Sequence, residues 1–103
     1  MLLGPSGQNV YPEELESRLM NFPFIQECVI IQRNNRLVAK VYPDAEMMNS
    51  TGTKEEDLDD IMEKTRRSYN KAVASYEQLT GIELVDQEFE KTPKKNIKRF
   101  LYT

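Results

Sequence analysis

Histidine and tryptophan are absent from this sequence, and cysteine occurs once. Without histidine the chain lacks the commonest general base and metal ligand at neutral pH. The single thiol, Cys28, excludes an intrachain disulfide and fits a reducing compartment. No apolar run approaches the roughly 20 residues of a membrane-spanning helix, and no secretory signal is visible. The start, "MLLGPSGQNV", is apolar for three residues only and reads as a chain entered mid-strand.

What is present points to a folded domain. Hydrophobic residues make up 39% and charged residues 30% of 103 positions, enough for one domain, 1–103, with a modest core. The net charge of −3 is unevenly spread. Lys91, Lys94, Lys95, Lys98 and Arg99 put five of the fourteen basic residues in 91–103, beside no acid. The remaining body holds nine basic residues against seventeen acidic ones. Such asymmetry predicts that the tail meets an anion or folds back on the acidic body.

The coarse order of elements is strand, helix, two strands, helix, strand. "MLL" and "VY" flank the turn formers of "GPSGQN" and read as a short N-terminal β-hairpin. Pro12 suits the first position of a helix, and Glu13, Glu14 and Glu16 favour a helix N-terminus. Leu15, Leu19 and Phe22 recur at helical spacing until Pro23. "QECVIIQR" and "RLVAKVYP" are β-rich runs around Asn34–Asn35, the pattern of a tight hairpin. "DAEMMNSTGT" shows no period and reads as a loop. Thr53 and Glu56 form a capping box for a helix with Leu58, Ile61, Met62, Thr65, Tyr69, Ala72, Val73 and Tyr76 on one stripe, running to about Leu79. "IELVDQEF" is the last strand. The expected fold is α+β: a small antiparallel sheet with two helices packed on it, preceded by the hairpin.

Candidate chemistry is sparse. Glu55, Glu56, Asp57, Asp59 and Asp60 lie along the first turns of a helix, where carboxylates complement the dipole; a hard cation needs oxygens converging from a loop. No metal site is expected. Cys28 sits in an apolar run with no histidine to activate it, so it reads as a small buried hydrophobe. The tyrosine and methionine stripe reads as core, although a removed neighbouring domain would leave part of it bare. The basic tail with Phe89, Phe100 and Tyr102 would suit single-stranded nucleic acid, but five charges are a thin footprint on an acidic domain, and no nucleic-acid partner is expected.

Two segments carry a resemblance. "GPSGQNVYPEELE" resembles the loop and helix start that open the small C-terminal domain of adenylate-forming enzymes of the acyl-CoA synthetase type. "KTPKKNIKR" resembles that family's closing "K-T-x-x-G-K-I-x-R" loop, and "ECVIIQRNNRLVAKVYPD" resembles its central hairpin. The resemblance covers almost the whole chain in the family's order, and "IKRFLY" is most similar to the long-chain fatty-acid branch.

The resemblance implies a mobile domain of a fatty-acid–CoA ligase, a cytoplasmic enzyme with any peripheral membrane contact made through the missing domain. The whole enzyme would use ATP and CoA as co-substrates. Its N-terminal domain, absent here, would hold ATP with Mg and the acyl group, and the fragment alone would not catalyse. The partners implied are that N-terminal adenylation domain, fatty acid, ATP and CoA. Ser6, Gly7, Gln8 and Asn9 would form the turn lining the path of CoA. Lys95 and Asn96 would occupy the loop that serves adenylation. The sequence departs from the pattern there: aligning Lys91, Thr92, Ile97 and Arg99 puts Lys95 at the family's glycine and Asn96 at its catalytic lysine. Neutral asparagine cannot supply that charge. Lys95 substitutes from one residue earlier, Lys98 reaches in, or the role is lost; Lys95 is the preferred reading. The rival expectations are another member of the superfamily, and a free-standing binding module that has lost the lysine.

Overall fold

The computed structural model describes residues 9–34, 36–91, 93 and 97, and residues 2–3 by their backbone. Two short strands open the chain, β1 (Leu2–Leu3) and β2 (Asn9–Val10), paired antiparallel. Helix α1 (Pro12–Leu19) follows at once. Pro12 is its first residue, Glu13 and Glu14 lie in its first turn and Arg18 in its last, the charge order that a helix dipole favours. Pro12, Leu15 and Leu19 are its buried stripe. Phe24 then takes a φ of 68° and turns the chain into β3 (Ile25–Arg33).

Strands β3 and β4 (Arg36–Pro43) form an antiparallel hairpin that Arg33 and Arg36 close. Asn34 supplies the left-handed turn with a φ of 54°, as the asparagine pair predicts. The apolar run Cys28–Ile31 is buried throughout because both faces of the sheet are covered. Cys28 and Ile30, with Leu37, Ala39 and Val41 of β4, face the helices. Val29 and Ile31 face the other way, where Phe89 packs on them with Val38, Tyr42, Val85 and Ile97 at the margin.

The segment expected to be a loop contains helix α2 (Ala45–Thr51). Its ends obey local chemistry. Asp44 accepts the Met47 N–H at 3.2 Å, and Gly52 ends the helix with a φ of 69°. With no buried residue, α2 has no apolar stripe for a periodicity argument to find.

Helix α3 (Glu55–Ala72) buries Leu58, Met62, Thr65 and Tyr69. The expected cap is displaced by one residue: the Lys54 N–H donates to Asp57 Oδ2 at 3.2 Å. The helix also stops earlier than its stripe suggests. A single 3₁₀ turn occupies Ser75–Glu77, and β5 (Leu79–Leu84) begins where the helix was expected to end.

The fold class is the α+β arrangement expected, with α1 and α3 packed on one face of a three-stranded sheet of order β3-β4-β5. One strand departs from it. β5 runs parallel to β4, because α2 and α3 form a crossover that returns the chain to the same end of the sheet. The main core joins Val10, Leu15, Leu19, Leu58, Met62 and Tyr69 to the sheet.

Candidate functional site

Each predicted site loop is bracketed by an antiparallel pair. Leu3 pairs with Asn9, with residues 4–8 between them. Lys91 pairs with Ile97, with residues 92–96 between them. Of the expected CoA-side residues, Asn9 is exposed on β2; Ser6, Gly7 and Gln8 lie outside the described residues. Lys95 and Asn96 lie outside them too, as does Lys98. What the structure fixes is therefore the footing of both loops.

The first footing is tied to the main core through β2. Val10 is fully buried in the main core, and Tyr11, next to it, is 49% exposed. That alternation sets the direction in which the hairpin leaves the body. Glu16, expected as helix-start charge, does something else. Its Oε2 accepts the Ile30 N–H at 2.6 Å, so a carboxylate of α1 occupies the outer edge of β3. The Cys28 thiol, 4% exposed, donates to the Glu16 carbonyl at 3.6 Å. This thiol is packed as a small hydrophobe, as expected.

The second footing rests on the sheet face away from the helices. After β5 the Val85 N–H donates to the Val41 carbonyl at 2.9 Å, and the chain then turns across that face. Phe89 is buried there, which stabilises by about 2–3 kcal/mol. Lys91 forms an ion pair with Glu27 of β3. At Lys91 the basic segment thus folds back on the acidic body, one of the two outcomes its charge implied. Sequence reasoning did not single out Glu27; its place in an apolar strand run was the available signal.

Several other charged groups are paired with one another. Arg33 Nη1 lies 2.7 Å from Glu83 Oε2, and this hydrogen bond is the main cause holding the Glu83 carboxyl below its ordinary range. Arg66 bonds Glu63 through Nε and Nη2 and the Leu79 carbonyl through Nη1, which holds Glu63 down and Arg66 up. The polar groove that Arg66 lines with Arg36, Gln32 and Asn70 therefore offers a largely neutralised guanidinium. Among the described residues no group of three or more acidic or sulfur ligands converges on a metal position. The acidic run stays along the first turns of α3, with Asp57 turned back to its cap. Among those residues, too, no helix is long and apolar enough to cross a membrane.

No protein-family model matches the sequence, and no curated protein matches it. Solved structures do. An acyl-CoA synthetase from Brucella canis is 23% identical with a TM-score of 0.73, over 98% of this chain and 18% of its own. An anthranilate–CoA ligase in complex with anthranoyl-AMP is 27% identical with a TM-score of 0.74, over 98% of this chain and 19% of its own. The adenylation domain of a carboxylate reductase from Mycobacterium chelonae is 16% identical with a TM-score of 0.80, over 97% of this chain and 17% of its own. The chain spans less than a fifth of each of these proteins. Its fold is that of the small C-terminal domain of adenylate-forming enzymes.

Proposed function

We propose that this chain is the mobile C-terminal domain of a fatty-acid–CoA ligase of the long-chain type. With its N-terminal domain it serves two steps. A carboxylate oxygen attacks the α-phosphorus of ATP and releases pyrophosphate, giving an acyl-adenylate. The thiol of CoA then attacks the acyl carbon and releases AMP. Mg belongs with ATP on the N-terminal domain. The turn at Ser6, Gly7, Gln8 and Asn9 faces CoA, and the loop with Lys95 and Asn96 faces the adenylation chemistry.

The observation that carries the reading is coincidence of fold and order. A chain that matches acyl-CoA and aryl-CoA ligases over nearly its whole length also has an antiparallel pair at the foot of each expected loop. A cation placed where negative charge develops lowers the barrier, and Lys95 is our choice for that cation. The long-chain assignment rests on the "IKRFLY" ending alone.

The test uses the full-length protein. Lys95→Ala should slow carboxylate-dependent pyrophosphate exchange by roughly a hundredfold, the scale of losing one transition-state charge contact, and spare CoA transfer from preformed acyl-adenylate. Equal loss in both steps, or none, rejects the role of Lys95. A panel of fatty and aryl acids in the same exchange assay decides the acyl class. A second reading, a binding module that lost the lysine, is favoured by Asn96 alone. It requires a reading frame closed just ahead of Met1, which the upstream coding sequence decides.

A further inference from the structure

The sheet face away from the helices holds an ion pair that fastens the start of the 91–97 segment. Glu27 belongs to β3, and its side chain is only 14% exposed. One carboxylate oxygen, Oε2, pairs with Lys91 Nζ. The other, Oε1, accepts the Phe89 N–H at 3.4 Å. Lys91 Nζ also donates to the Phe89 carbonyl at 3.4 Å. A single carboxylate thus engages the segment twice, and the segment's own lysine completes the ring. At the far end Ile97 pairs with Lys91 and packs at the margin of the Val29, Ile31 and Phe89 cluster.

We infer that Glu27 is a positioning residue for residues 92–96, acting through Lys91 and Phe89. The inference rests on the ligase reading, in which that loop carries Lys95 and Asn96. Apolar burial of Phe89 attaches the segment to the face but is non-directional, so it leaves the position along β3 weakly set. A two-oxygen contact to a backbone N–H and an ammonium is directional and sets it. The geometry of the reacting groups depends on that setting, since a displacement of about 1 Å can cost a hundredfold in rate. The pair differs in kind from Arg33–Glu83, whose side chains are 47% exposed on each side.

The experiment compares wild type, Glu27→Gln, Lys91→Met, the charge swap Glu27→Lys with Lys91→Glu, and Arg33→Gln, all in the full-length protein. Amide exchange is read at Phe89 and across 91–97. Pyrophosphate exchange and thioester formation from preformed acyl-adenylate are read separately. Glu27→Gln and Lys91→Met should each speed amide exchange about tenfold and slow pyrophosphate exchange about tenfold to a hundredfold, with thioester formation within about twofold of wild type. The charge swap should recover part of both losses, and Arg33→Gln should change none of the three. Unchanged amide exchange overturns the inference. So does a loss shared equally by both half-reactions and tracking a fall in melting temperature. If wild type activates no carboxylate, the ligase reading falls; amide exchange in Glu27→Gln still decides whether Glu27 anchors the segment.

Discussion

Asn70 holds both backbone groups of Leu79: Nδ2 donates to the Leu79 carbonyl at 2.9 Å, and Oδ1 accepts the Leu79 N–H at 2.8 Å. A helix side chain thereby stands in for a neighbouring strand at the start of β5. Leu79 is buried, so these groups have no easy recourse to water.

Asn70→Ala should therefore destabilise by about 1–3 kcal/mol, the scale of leaving the buried Leu79 N–H unpaired, since Arg66 Nη1 still reaches the Leu79 carbonyl. Asn70→Asp keeps the acceptor and loses the donor, so its loss should be smaller. Urea denaturation of both variants checks the order.

Tyr69 predicts an alkaline limit. Its hydroxyl donates to the Glu77 carbonyl at 3.0 Å, and its pKa is raised above the ordinary phenol value, first by burial and then by the Glu77 charge. A raised folded pKa contributes stability that is fully present below the unfolded value of about 10 and is lost as pH rises through the folded one. In an alkaline titration by ultraviolet absorbance, one of the five tyrosines should ionise only with unfolding. Tyr69→Phe should remove that late component.

Asn34 tests the hairpin. Its φ of 54° suits asparagine or glycine and opposes a β-branched side chain. Asn34→Val should cost about 1–2 kcal/mol, and Asn34→Gly should lie within about 0.5 kcal/mol of wild type. Thermal melting of the pair is sufficient.

Cys28 should be inert. Buried against α1, it should react with a thiol-specific disulfide reagent only in denaturant, at a rate set by unfolding. Rapid labelling of the folded chain would refute the buried-hydrophobe reading.

The elements read correctly from sequence are those whose signals are local. Pro12 with its following glutamates starts α1, and Asn34 turns the hairpin. α2 went unread although Asp44 and Gly52 mark both its ends, because the reading relied on apolar period and this helix has no fully buried residue, with Met48 only partly buried against the core. The end of α3 went unread because it is not a local property. Tyr69 and Asn70 bind Glu77 and Leu79, and burying Leu79 on the sheet prevails over continuing the helical stripe.

By itself the sequence determined the α+β class and the apolar faces of α1 and the β3–β4 hairpin, through side-chain spacing and turn chemistry within short windows. Only the tertiary structure decided the parallel direction of β5, the covering of the second sheet face by Phe89, and the partners of Glu16 and Glu27. Glu27 and Phe89 are 62 positions apart, and no periodicity over a dozen residues encodes which strand face a returning chain will cover. Those contacts follow from which apolar surfaces remain to be buried once the hairpin and helices have formed.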